Sequence, residues 1–299
     1  MNALTWLFLA ALCAATLTRI WLAVRQMAHV RAHRDAVPPG FVEVMPLAAH
    51  QKAADYTVAK GRVGMVDLLI GTLVLLALTL GGLLRWIGEQ WAQVFEPGGL
   101  AHGTALVASV VLLLSAIELP SSVYRTFVVE ARFGFNRMTP ALFLADLAKH
   151  ALLAAVLGLP LLLLVLWLMQ RMGESWWLTV WAVWVSFNLL ILLIYPTFIA
   201  PLFNKFTPLA DAALAGRIEA LLARCGFRSS GLYVMDGSRR SAHGNAYFTG
   251  FGAAKRIVFF DTLLSRLAPC EVEAVLAHEL GHFRRHHVWK RIARLQAGT

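Results

Sequence analysis

Apolar residues dominate the first two hundred positions of the chain, in five runs long enough to cross about 30 Å of hydrocarbon. Such runs predict transmembrane helices, because a helix satisfies its own backbone hydrogen bonds in lipid. We therefore predict a membrane domain over residues 1–203. Its five predicted spans are 4–24, 66–84, 101–119, 151–169 and 176–199.

The first run also fits a cleaved signal peptide, since it is N-terminal and rich in alanine. However, no Lys or Arg precedes it, and the basic residues lie at its C-terminal end and beyond, from Arg19 onwards. The run is also longer than a usual signal core, so we interpret it as a span.

After Pro201 the pattern changes to shorter elements. Asp211–Cys225 has the spacing of an amphipathic helix, and three stretches at 231–235, 245–251 and 256–260 favour β-strands. A small sheet is therefore expected before the last helical stretch. The predicted fold class is mainly α: a polytopic α-helical membrane protein with a small α+β portion over residues 204–299.

Composition and charge support the membrane assignment. Hydrophobic residues make up 59% of the 299 residues, and the mean hydropathy of +0.64 is too high for an ordinary soluble protein. Lys and Arg are concentrated in the first and third loops, so the positive-inside rule places these loops, and everything after the fifth span, in the cytoplasm. This distribution explains most of the net charge of +10, so we expect a lipid bilayer and no nucleic acid as partner. We expect a multi-pass protein of a bacterial inner or plasma membrane.

One motif near the C-terminus predicts chemistry: HExxH at positions 278–282. On a helix, His278 and His282 lie one turn apart on one face and can offer two imidazoles to a single Zn²⁺. Glu279 is then placed to take a proton from water activated by the metal. The alternative is a chance HExxH on a surface helix. The apolar residues before the motif and Pro269 at a helix N-terminus favour the metal site.

A catalytic zinc site normally has three protein ligands, and this motif supplies two. His286 continues the series, but it lies about 12 Å along the helix from His278, which is too far to share a metal. We therefore expect His286 and His287 to be solvated or stacked with neighbouring basic residues. Glu118 and Glu130 qualify as a third ligand only if the fold brings them close.

Four blocks of sequence, 118–140, 195–208, 238–264 and 275–288, resemble the HtpX-related membrane zinc metalloproteases of the CAAX prenyl protease type I family. The resemblance implies seven helices around a water-filled chamber, one Zn²⁺, and the zinc helix on the cytoplasmic side. It also implies that Asn245, Ala246 and Tyr247 belong to a strand that pairs with an extended substrate. A purely structural role for Asn245 in a turn is the alternative.

The family carries its third ligand, a glutamate, in a downstream ExxxD-type segment, followed by further transmembrane helices. Residues 283–299 contain neither. We therefore expect a peptidase portion that is truncated at its C-terminus. Two functional hypotheses follow. The first is an integral membrane zinc endopeptidase that cleaves membrane-associated or prenylated polypeptides, in CaaX-type processing or membrane-protein quality control. The second is a catalytically incomplete membrane binding module.

Overall fold

The computed structural model describes residues 2–227, 229–249 and 256–284, with the backbone alone at 282–284. The chain forms two compact units, Met1–Asn136 and Arg137–Thr299. The second unit contains the last two spans as well as the sheet. The division at residue 203 into membrane and peptidase portions stays a prediction.

The first unit is helical. Its helices are α1 (Ala3–Ala32), α2 (Leu47–Thr79), α3 (Leu83–Trp91) and α4 (Leu100–Tyr124), and a π-helical turn at Arg125–Glu130 continues α4. Helices α1 and α2 pack along each other, and α3 packs on α4. At the cytoplasmic side predicted from the sequence, Arg34 donates to both carboxylate oxygens of Asp55 at 2.8 and 2.9 Å.

The second unit begins with the fourth and fifth spans. Its helices are α5 (Pro140–Leu153), α6 (Leu159–Arg171), α7 (Trp176–Ile194), α8 (Ala200–Phe203), α9 (Ala212–Arg224), α10 (Asp261–Leu264) and α11 (Pro269–Arg284). A π-helical turn at Ala154–Gly158 joins α5 to α6, and one at Tyr195–Ile199 joins α7 to α8. Pro196 lies in the latter turn, where its missing N–H removes one bond of the helical ladder.

Five helices of the described chain are long and apolar enough to cross a membrane, which confirms the predicted number of spans. They are Ala3–Ala32, Leu47–Thr79, Leu100–Glu130, Pro140–Arg171 and Gly173–Phe203. Except at the end of the second, the helices extend past the predicted apolar runs, because a run marks only the part that lies in hydrocarbon while the helix propagates beyond it. The second helix departs most: it starts at Leu47 rather than 66, and ends at Thr79 rather than 84. Gly82, in the left-handed region at φ +75°, separates it from α3.

The sheet has four described strands: β1 (Phe206–Pro208), β2 (Leu232–Met235), β3 (Ala246–Thr249) and β4 (Arg256–Phe260). Their order is β1-β2-β4-β3. Strands β2 and β4 are parallel, and the outer two pairs are antiparallel. The three predicted strands are confirmed, except that positions 250–251 of the second lie outside the described residues. Strand β1 was not predicted.

Helices α9 and α11 cover one face of the sheet and form its core. Asp211 caps α9 by accepting from the Leu214 N–H at 3.0 Å, which confirms the predicted amphipathic helix. The most buried side chains of this core come from both helices and from β4: Ile218, Leu222, Ile257, Phe259, Val272 and Leu276. This packing holds α11 against the sheet.

Candidate metal centre and strand edge

Helix α11 carries the HExxH motif and begins at Pro269, as predicted. Its first turn is capped by Glu271, whose Oε2 accepts from the Ala268 N–H at 2.7 Å. Val272, Leu276 and Leu280 recur every four residues and are all buried in the core. This stripe fixes the rotation of the helix about its axis, and so fixes the direction in which the motif points.

The two described side chains of the motif lie away from the core stripe. His278 is exposed and Glu279 is half-buried, while Leu280 beside them is buried. The helix continues to Arg284, so positions 278 and 282 lie one turn apart on the same helix. The side chain of His282 lies outside the described residues. Two imidazoles at this spacing beside a carboxylate match the donors that Zn²⁺ takes in peptidases.

The third ligand of the predicted site is not identified. Among the described residues, no three His, Cys, Asp or Glu side chains gather in a group that could hold a metal ion. Glu130, one of the upstream candidates, accepts a hydrogen bond of 2.6 Å from the hydroxyl of Tyr56. His286 and His287 lie outside the described residues.

Strand β3 lies at one edge of the described sheet and packs against α11. The Phe260 N–H donates to the Asn245 carbonyl at 2.9 Å, and the register pairs Ala246 with Phe259. Since hydrogen-bonded and non-hydrogen-bonded pairs alternate in antiparallel strands, the backbone N–H and C=O groups of Ala246 and Phe248 point away from β4. The edge therefore presents its backbone groups beside the HExxH helix.

The three residues predicted to bind substrate have different environments. Ala246 is buried in the core, whereas Asn245 is exposed. The Asn245 side-chain oxygen accepts from the Ala246 N–H at 2.9 Å, so this amide already has a local structural contact. Both interpretations of Asn245 thus remain compatible with its position.

Tyr247 lies on the sheet face opposite the core. It lines a small cavity with Tyr195 and Pro196 of the fifth span, and with Tyr233 and Arg256 of the neighbouring strands. Burial first, and then the nearby Tyr195, raises the pKa of the Tyr247 phenol to about 12. The fifth span therefore packs on one face of the sheet while α11 packs on the other.

A buried ion pair was missed by the sequence analysis. Arg240 donates to both carboxylate oxygens of Asp146, at 2.7 and 3.0 Å, and to the side-chain oxygen of Asn204 at 2.9 Å. Two features of the sequence could have indicated this ion pair: Asp146 lies in a largely apolar segment, and Arg240 lies just before the predicted substrate strand. Neither signal indicates its partner.

Comparison with known proteins agrees with this architecture. Residues 26–205 match the family model described as "CAAX prenyl protease N-terminal, five membrane helices", and residues 208–298 match that of peptidase family M48. A crystal structure of S. mikatae Ste24p superposes with a TM-score of 0.89 at 30% identity, covering 100% of this chain and 71% of that one.

Curated relatives give the same result. A CAAX prenyl protease 1 homolog of Arabidopsis thaliana is 35% identical over 274 residues, covering 89% of this chain and 64% of the relative. CAAX prenyl protease 1 of Saccharomyces cerevisiae is 44% identical over 179 residues, covering 59% of this chain and 39% of the relative. The chain thus spans less than two thirds of the length of these relatives.

Fold, spans and matches together define an integral, multi-pass membrane protein with a portion similar to the M48 peptidases. Within that class, the chain belongs to the CAAX prenyl protease family. The predicted family and fold class are confirmed.

Proposed function

We propose that the chain is the membrane and motif-bearing part of a zinc endopeptidase, with His278 and His282 as metal ligands and Glu279 as general base. The observation that carries this proposal is the packing of the HExxH helix directly against an edge strand of the sheet. A peptidase needs a proton acceptor beside the place where an extended chain can bind, and this arrangement brings the two together.

Glu279 is suited to proton transfer. It is half-buried and follows the exposed His278 in the motif, where a carboxylate would take a proton from a water molecule at the metal site. When bound, Zn²⁺ would supply Lewis-acid polarisation of that water and of the scissile carbonyl. Glu279 would take a proton from the water and pass it to the nitrogen of the leaving amine.

Strand β3 would bind the substrate by adding the peptide as a further strand. The outward-facing Ala246 carbonyl and the N–H and C=O groups of Phe248 supply the hydrogen-bonding edge, while the Ala246 N–H already donates to Asn245 Oδ1 at 2.9 Å. Asn245 stands at the start of this edge and would add a side-chain amide, while Tyr247 points to the opposite face and would support the strand. The substrate class is a membrane-associated polypeptide, with prenylated C-terminal CaaX segments as the case that the relatives' names suggest.

The proposed site faces the cytoplasm. This follows from the basic residues in the loops after the first and third spans, which include Arg34 and Arg132, compared with the single Arg85 after the second. Cysteine-accessibility labelling of intact cells tests the orientation, with Glu279 and Arg85 positions expected to label from opposite sides. The sequence-based assignment to a bacterial membrane stays a prediction, since the relatives named above are eukaryotic.

Zinc stoichiometry of the detergent-purified chain, by elemental analysis, tests the metal site. We expect about one zinc per chain, retained in Glu279→Gln and lost in His278→Ala. The Glu279→Gln variant is the matched control because it changes the motif without removing an imidazole. Absence of zinc from the parent chain would contradict the proposal for these 299 residues and would favour the non-catalytic binding module.

A further inference from the structure

We infer that Arg240 is a positioning residue, which holds the β3 edge in place by anchoring the segment before it to the fourth membrane span. The inference rests on the proposed function, since it assigns the edge a substrate. We name residues 236–245 the lead-in segment, because they connect β2 to β3.

The anchor is a buried, bidentate ion pair. The Arg240 side chain is 17% exposed and that of Asp146 is 10% exposed. Three side-chain hydrogen bonds join Arg240 to the fourth and fifth spans: two go to Asp146 of α5, and one goes to Asn204 just after α8. The planar guanidinium fits this fork, and a lysine ammonium could not reproduce it.

The backbone of the lead-in segment is also fixed at both of its ends. The Asp236 N–H donates to the Lys205 carbonyl at 3.2 Å, and the Ser238 N–H donates to Asp261 Oδ1 at 2.9 Å. The His243 carbonyl accepts from the Thr262 hydroxyl at 2.8 Å. Arg240 lies between these contacts, and its carbonyl accepts from the Arg137 N–H at 3.1 Å. The ion pair therefore links this segment to helix α5.

A charged pair of this kind is costly to place beside a membrane core, since both ions lose hydration. The neighbouring Arg239 shows the contrast. Its side chain is 49% exposed, and it reaches Asp236 only at 3.5 Å. Two adjacent arginines thus have different roles, and only Arg240 reaches a span.

Amide hydrogen exchange of the purified parent and of Arg240→Lys tests the inference without any substrate. We expect exchange of residues 241–249 to accelerate about tenfold or more, since bonds to a charged group are lost. Exchange in α9 and α11 should stay within about twofold of the parent. Arg239→Lys, the same substitution one residue away, should leave all of these amides unchanged.

Peptide hydrolysis gives the second measurement. A displaced edge weakens peptide pairing, so KM should rise about tenfold in Arg240→Lys while kcat changes little. If the parent chain does not hydrolyse peptides, the proposed function is contradicted. The positioning role of Arg240 is still tested by the hydrogen-exchange measurement, which needs no substrate.

Asp146→Glu is the second variant if Arg240→Lys does not fold. It keeps both charges and displaces the carboxylate by one methylene group, so the same confined pattern should appear. Unchanged exchange at 241–249 in a folded variant would overturn the inference. Equal acceleration in α9, α11 and β3 would also overturn it, since the pair would then serve overall stability.

Discussion

The hydroxyl of Tyr56 in α2 donates a hydrogen bond of 2.6 Å to Glu130 Oε1, in the π-helical turn that ends the third span. The Tyr56 ring also contacts Phe133 and Phe135, at centroid distances of 5.3 and 4.8 Å. This pair therefore joins the second and third spans within the first compact unit.

Replacing Tyr56 by Phe should lower stability modestly. The variant keeps the ring contacts and loses the bond to Glu130, which is worth about 1 kcal/mol at a partly exposed site. Thermal unfolding in detergent should show a lower Tm. Tyr233→Phe, which alters a tyrosine in the other unit, is the control, and an unchanged Tm for Tyr56→Phe would mean that the bond contributes little.

Replacing Glu279 by Gln should abolish most peptide hydrolysis. The amide has nearly the same shape but cannot accept the proton, so the rate should fall about 10²–10⁴-fold. Release of a fluorescent peptide product measures this. Glu273→Gln, on the same helix but paired with Arg217, is the matched control and should remain close to the parent. Comparable activity in the two variants would remove Glu279 from the role of general base.

Two substitutions at Asn245 separate its substrate-binding role from its structural one. Asn245→Asp keeps an oxygen for the Ala246 N–H and loses the amide donor, whereas Asn245→Ala loses both. If the amide binds peptide, both variants should raise KM about tenfold, and only Asn245→Ala should also lower Tm. A KM equal to that of the parent in Asn245→Asp would rule out the substrate-binding role, so that only the structural role would remain.

The stability of the parent should fall in alkali through Tyr247. Because the folded pKa is raised to about 12, the neutral phenol stabilises the fold fully below its unfolded pKa of about 10. That stabilisation is lost as pH rises from about 10 through about 12. Tyr247→Phe has no such loss, so its Tm deficit relative to the parent should shrink over this range. A constant Tm difference from pH 9 to 12 would show that Tyr247 does not titrate in this way.

Truncating the core residue behind the motif should destabilise the sheet portion. Leu276 is fully buried between α11 and the sheet, so Leu276→Ala should cost about 2–5 kcal/mol. Ala274→Ser, an exposed change on the same helix, should cost little. The rate of proteolysis of each variant measures this difference. Equal resistance of Leu276→Ala and Ala274→Ser to proteolysis would contradict the described packing.

The sequence predicted those elements whose signal is local. The spans follow from apolar runs. Helix α11 follows from the proline at its start and from apolar residues that recur every four positions through Leu276. Strand β1 was missed because it has three residues and ends in Pro208, so it exists only through its pairing with β2. Helix α3 was missed because it is short and follows directly after the left-handed Gly82.

Relationships between distant residues were not available from the pattern. Asp146 and Arg240 are 94 positions apart, and neither residue's neighbours indicate the other. The strand order β1-β2-β4-β3 likewise decides that β3 lies at an edge, although the chain order alone would allow other arrangements. The motif indicated two candidate ligands and a base. That β3 lies at a sheet edge, where a peptide would bind, is seen only in the folded structure.

Only Asn204 and Lys205 separate the last turn of the fifth span from the first strand of the sheet. Two residues reach about 7 Å when fully extended, so the sheet cannot swing away from the bilayer as a domain on a tether would. The sheet, and with it the edge strand β3, is therefore held close to the end of the fifth span. Under the proposed function, a polypeptide attached to the same membrane would be cut at a position set by the length of chain between its membrane anchor and the β3 edge.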